Sequence, residues 1–145
     1  MKRRLTVAAL AVLGLLGLGL ATVEVAIGMP GRTHKGELPA LTEVENARVE
    51  RLQYDIDMLA ITIGERNLHN APAKLAAAER YIKTSLTELG YDVVREPYSV
   101  EGVEVANLVA ELPGSDEIVV IGAHYDSAPG TPGADDNATG VAALL

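Results

Sequence analysis

From residue 41 onward, the spacing of apolar positions alternates between two periods. Val49, Leu52, Ile56, Leu59 and Ile63 recur at helical steps and form one apolar face. Thr42 and Glu45 stand ahead of that face as a capping box, and Gly64 follows it as a stop. A second helix is predicted with Asn70 as cap and Pro72 in its first turn; Leu75, Ala78, Ile82, Leu86 and Leu89 form its buried side and Gly90 ends it. The period then becomes extended. Residues 91–96 read as a strand broken by Pro97, residues 100–104 contain a turn, and residues 105–112 form a second strand closed by Pro113-Gly114. Residues 117–122 contain the uninterrupted apolar run Ile118-Val119-Val120-Ile121, the pattern of a central strand covered on both faces. A last helix begins after Asn137. Two helices ahead of such strands, with a third beginning after them, predict an α/β sandwich. The last helix stops without a cap or a following strand, so the chain is expected to be truncated in mid-domain, a fragment.

The N-terminal segment has a different character. Lys2-Arg3-Arg4 precedes a run from Leu5 to Val23 that holds no charge. A helix of that length reaches about 28 Å, close to the hydrocarbon thickness of a bilayer. The basic cluster is expected to stay in the cytoplasm, which places the rest of the chain outside it. Residues 1–28 are therefore predicted as an N-terminal transmembrane helix, the membrane anchor of an extracytoplasmic domain. A signal segment, with secretion after cleavage near Gly19-Leu20-Ala21, is the alternative. The breaker clusters Gly28-Met29-Pro30-Gly31 and Gly36-Glu37-Leu38-Pro39 mark residues 29–40 as a linker; residues 41–145 are the domain.

Composition narrows the function classes. The net charge of −8 leaves no electrostatic footprint for nucleic acid. An apolar fraction of 48% excludes a disordered chain, and the absence of Cys excludes disulfides and thiolate zinc clusters. No His-Glu-x-x-His, Gly-x-Ser-x-Gly or phosphate-binding Gly-x-x-x-x-Gly-Lys motif occurs. Chemistry concentrates instead in Gly122-Ala123-His124-Tyr125-Asp126-Ser127 and Gly133-Ala134-Asp135-Asp136-Asn137. His124 and Asp126 follow the predicted central strand, the edge where open α/β sheets bind ligands, and point the same way two residues apart. The Pro- and Gly-rich loop between the segments can return Asp136 to His124. Imidazole and carboxylate are ordinary zinc donors, and Asp126 can accept the spare ring N–H of His124 and fix its tautomer. The competing reading has Asp135 and Asp136 capping a helix while His124 merely ends a strand. His69 and His34 are expected to be structural or solvated.

These two segments, with the helix start that follows them, resemble the M28 family of zinc metallopeptidases, which are mostly aminopeptidases. Ile63-Gly64-Glu65-Arg66-Asn67, Leu89-Gly90-Tyr91 and Val105-Ala106-Asn107-Leu108-Val109-Ala110 are similar to that family too. The resemblance implies a phosphorylase/hydrolase-like three-layer sandwich with a mixed central sheet, here its N-terminal portion. It also implies a site of two Zn(2+) ions held by five side chains. By resemblance, His124 binds one zinc, Asp136 bridges both, Asp126 orients His124, and Asp135 stands beside the bridge without binding. The family's general base and remaining ligands come later in its sequence, so the general base is absent from this chain. The implied activity is zinc-dependent hydrolysis of N-terminal bonds in peptide or protein substrates by a metal-activated water, with this chain alone expected to be inactive. A glutaminyl cyclase-like acyltransferase and a non-catalytic, receptor-like relative are the alternatives.

Overall fold

The computed structural model describes Gly14 and residues 33–112, 114 and 117–145. The chain divides between Pro39 and Ala40. Of the first unit, residues 33–39 carry no regular element and are exposed. The predicted membrane segment, residues 5–23, lies outside the described residues apart from Gly14; among the described residues no helix is long and apolar enough to cross a membrane.

Helix α1 spans Glu43–Asp57 and widens into a π-helical turn at Met58–Ile63. It starts as the capping box predicts. Thr42 Oγ1 accepts from the Glu45 N–H at 3.3 Å, and Glu45 Oε2 accepts from the Thr42 N–H at 2.7 Å. Gly64, at φ 76°, ends it. Only the C-terminal half of the predicted apolar face is covered: Leu59 and Ile63 are buried, whereas Val49 and Leu52 are exposed. Asp55 instead is fully buried, held by Arg51 Nε at 2.9 Å and by the Tyr81 hydroxyl.

Helix α2 spans Pro72–Glu88. Its cap is Ala71 rather than the expected Asn70, with no side-chain bond; Pro72 at the first position has no N–H to satisfy there. Ala78 and Ile82 are buried, and Leu89 at the end of the predicted face is exposed. The helix closes in a Schellman motif: the Gly90 N–H donates to Thr87 O at 2.9 Å and the Tyr91 N–H to Leu86 O at 3.1 Å. Gly90 adopts φ 92°.

Strands β1 (Val93–Val100) and β2 (Val103–Ala110) pair antiparallel as a two-stranded sheet. Their turn is Glu101-Gly102, both at positive φ, the geometry that matches strand twist in a two-residue hairpin. Pro97 does not break β1; it sits opposite Ala106, tolerated because β1 is paired along one side only among the described residues. Arg95 ties the hairpin to α2 through Glu79 at 2.6 Å, and across the hairpin to Glu104 at 2.8 Å.

The predicted central strand differs most from expectation. Residues 117–122 carry no strand pairing, and Ile118, Val119, Val120 and Ile121 are 74–88% exposed. An apolar strand is buried only where a pairing partner and covering layers exist, and the described residues provide neither beside it. The observed mixture of helices and a small antiparallel sheet is compatible with an α/β class; a mixed central sheet and three layers are not formed among the described residues. After a π-helical turn at Ala134–Ala138, the short helix α3 runs Thr139–Leu144. Leu59, Ala60 and Ile63 meet Ala78 and Ile82 of α2 and Ala138 and Val141 at the start of α3 to form the core, with Leu108, Ala123 and Tyr125 against its margin.

Candidate metal centre

The loop from His124 to Asp136 is built by local turns. Pro129-Gly130 forms a turn in which the Thr131 N–H and hydroxyl both donate to Ala128 O at 3.2 Å, and Gly130 adopts φ 78°. The Ser127 hydroxyl donates across the turn to Thr131 O at 3.0 Å. Gly133 follows in the left-handed region at φ 58°, and its carbonyl accepts from the Ala138 N–H at 3.0 Å. Asp136 and Asn137 depart from helical backbone angles, with a cis peptide between them. Asn137 Oδ1 then accepts the Gly140 N–H at 3.1 Å and satisfies a donor in the first turn of α3.

This path brings three of the predicted site residues together. His124 Nδ1 lies 3.0 Å from Asp126 Oδ1, and His124 Nε2 lies 2.9 Å from Asp136 Oδ1. The imidazole is thus bracketed by two carboxylates, one on each nitrogen. Burial of the ring disfavours its charged form, but the bonds to Asp126 and then Asp136 outweigh it and raise the His124 pKa. All three side chains remain open to solvent, His124 at 52%, Asp126 at 59% and Asp136 at 77%. Asp135 stands apart and contributes its carbonyl to the Thr139 hydroxyl at 3.2 Å. His69 faces Glu101 at 3.8 Å, and His34 Nε2 lies 3.3 Å from Glu37 O; neither joins the cluster.

The donor chemistry and placement fit part of a zinc site. Two donors on one tetrahedral zinc lie roughly 3.3 Å apart, so His124 Nε2 and Asp136 Oδ1 need only a small separation to share an ion. Asp126 holds the other ring nitrogen in the arrangement that fixes a ligating imidazole. Among the described residues no group of three or more His, Cys, Asp or Glu side chains could hold a metal ion.

Residues to which the sequence reading gave no role hold this arrangement in place. Arg66 is fully buried; its guanidinium donates to Tyr125 O at 2.7 Å, Pro132 O at 2.5 Å and Gly133 O at 2.9 Å. Its backbone pairs with Ser127: the Ser127 N–H donates to Arg66 O at 2.8 Å, and the Arg66 N–H to Ser127 Oγ at 3.1 Å. Glu65 Oε1 accepts from the Gly130 N–H at 3.0 Å and from Asn67 and Asn70. Those bonds pull the Glu65 pKa below the usual carboxylate value. The only signal in the sequence is the likeness of residues 63–67 to the M28 pattern, which assigns them no task.

Residues 107–145, which contain the whole cluster, match the family model for Peptidase family M28. Leupeptin-inactivating enzyme 1 of Streptomyces exfoliatus is 26% identical over 140 residues, which cover 95% of this chain and 31% of that enzyme. Uncharacterized protein YfbL of Escherichia coli (strain K12) is 37% identical over 109 residues, covering 69% of this chain and 33% of that protein. The chain therefore spans about a third of the length of these curated relatives. Residues 107–145, where His124, Asp126 and Asp136 converge, are thus the part of the chain that matches peptidase family M28.

Proposed function

We propose that this chain carries part of a zinc-dependent peptidase site, of aminopeptidase type, acting on the N-terminal bonds of peptides or proteins. The observation that carries the reading is His124 held between Asp126 and Asp136 inside the segment that matches the family. In it, His124 and Asp136 would hold zinc, and Asp126 would orient the imidazole. When bound, zinc supplies Lewis-acid polarisation of a water and of the scissile carbonyl. The name of the Streptomyces exfoliatus relative, an enzyme that inactivates leupeptin, favours a peptide-like substrate. The same reading sets the helices and hairpin within a phosphorylase/hydrolase-like sandwich. Residues 5–23 act in it as a membrane anchor, with the domain on the extracytoplasmic side; retention in the membrane pellet after a carbonate wash tests this, and a soluble product beginning at Thr22 refutes it.

Residues 1–145 bring two assigned donors, whereas a catalytic zinc is held by three protein ligands and a water. By itself the chain therefore binds zinc weakly and does not cleave. Zinc titration followed at the His124 ring by long-range 1H–15N NMR tests the ligand assignment. His124→Ala and Asp136→Ala each abolish binding, and Asp126→Asn weakens it by about tenfold. If Asp126→Asn is the most damaging of the three, ligand and supporting carboxylate have been exchanged. Zinc-dependent cleavage of aminoacyl-p-nitroanilides by the 145-residue chain refutes the ligand count.

A further inference from the structure

The geometry points to Arg66 as the positioning residue of the His124–Asp136 pair: its guanidinium sets the distance between the two donors by holding both ends of the loop that separates them. The inference rests on the site reading above. His124 and Asp126 flank Tyr125, whose carbonyl accepts from Arg66 Nε at 2.7 Å. On the other side, Pro132 O and Gly133 O, just ahead of Asp135-Asp136, accept from Nη1 at 2.5 Å and Nη2 at 2.9 Å. The guanidinium is itself anchored, with Nη1 donating to Leu59 O at 3.1 Å and Gly64 O at 3.2 Å, carbonyls at the end of the α1 π-turn. A cation there also meets the negative end of the helix.

Arg66 makes none of these bonds to a carboxylate. A charge needed only for stability would be expected beside an acid; here every donor goes to a backbone carbonyl, on three separate stretches of chain. Burial accordingly lowers the Arg66 pKa, with the more distant charge of Asp126 opposing that shift. The task needs the planar fork of arginine. A lysine ammonium presents its donors from one point and cannot reach Tyr125 O, Gly133 O and Leu59 O together. Loss of the fork frees the 127–133 loop to relax, and His124 and Asp136 then separate although neither has been altered.

The test compares Arg66→Lys with Tyr81→Phe in the 145-residue chain. Tyr81→Phe removes the buried bond to Asp55 and lowers stability without touching the loop. Each variant is melted, then titrated with zinc at a temperature where it is folded, with the His124 ring shifts as readout. Arg66→Lys is expected to weaken zinc binding by about tenfold or more, while Tyr81→Phe keeps it within about twofold. Unchanged affinity in Arg66→Lys, or an equal loss in Tyr81→Phe, overturns the positioning role. If Arg66→Lys does not fold, millimolar guanidinium ion is added to Arg66→Ala. Recovery of the zinc response supports the inference; recovery of the melt without it, or of neither, overturns it. Zinc binding that is lost in His124→Ala and kept in Arg66→Lys defeats the positioning role alone. Binding that persists in both His124→Ala and Asp136→Ala defeats the site reading, and the inference with it.

Discussion

Gly133 and Gly130 both sit in the left-handed region, at φ 58° and 78°, three residues apart in one loop, yet alanine should affect them very differently. In both, a Cβ in that region costs about 1–2 kcal/mol. At Gly130 the added methyl meets nothing within 4 Å, so the strain is the whole effect. At Gly133 the Cβ lies 2.6 Å from Ser127 Cβ, 2.7 Å from Asp136 O and 3.3 Å from Arg66 Nη2. Two of those neighbours cannot swing aside, because Asp136 O is backbone and Ser127 Cβ is fixed to the backbone that pairs with Arg66. Overpacking of this kind costs about 1–3 kcal/mol more. Gly133→Ala is therefore expected to lose about 2–5 kcal/mol and Gly130→Ala about 1–2 kcal/mol. Urea denaturation followed by far-UV circular dichroism measures both. For a domain near this size each kcal/mol also moves the melting midpoint by roughly 4–8 °C. Zinc binding by Gly133→Ala should fall further than its stability alone explains, since the displaced atom is the carbonyl of a proposed ligand. Equal losses for the two variants would show that the loop relaxes around the methyl, and would refute the idea that Gly133 is a point of forced close approach.

Two further outcomes follow from buried hydroxyls. Tyr81→Phe leaves the fully buried Asp55 carboxylate with its bond from Arg51 Nε at 2.9 Å and should lower stability by about 1.5–3 kcal/mol in urea titrations; a loss below about 0.5 kcal/mol would mean that water replaces the hydroxyl. Tyr125, whose O–H donates to Ala106 O at 2.7 Å, has its pKa pushed up to about 12, chiefly by burial. A raised pKa means that its stabilising effect is whole below pH 10, the ordinary tyrosine value, and is lost as pH rises toward 12. Denaturation midpoints should fall across that window, and Tyr125→Phe should flatten the fall; an unchanged slope would refute the assignment.

The parts of the fold that were legible in the sequence are those whose cause is local. Thr42 and Glu45 cap α1, and Gly64 and Gly90 end α1 and α2, because capping needs only neighbours a few residues away. The hairpin turn at Glu101-Gly102 belongs to the same class. Burial was less legible, since an apolar stripe states what a helix could bury and not what stands opposite. Val49 and Leu52 keep the period of α1 but stay exposed, while Asp55, which breaks the pattern, is interior because Tyr81 and Arg51 satisfy it. The strand expected at residues 117–122 failed for the same reason: four consecutive apolar residues specify a buried strand only in company.

The candidate site divides along the same line. His124 and Asp126 are two residues apart, so their bond follows from local geometry once the chain is known to turn there. Asp136 is 12 residues from His124, and the Pro- and Gly-rich composition between them was enough to suggest a return, though not its width. The width is decided from a distance. Arg66 reaches Tyr125, Pro132 and Gly133 across separations of 59, 66 and 67 residues, and nothing in the spacing of a single arginine after a helix-ending glycine announces such partners. A motif therefore names the donors, because donor chemistry belongs to side-chain type. The distance between donors belongs to the backbone that carries them, and here that backbone is set by a buried cation bound to carbonyls.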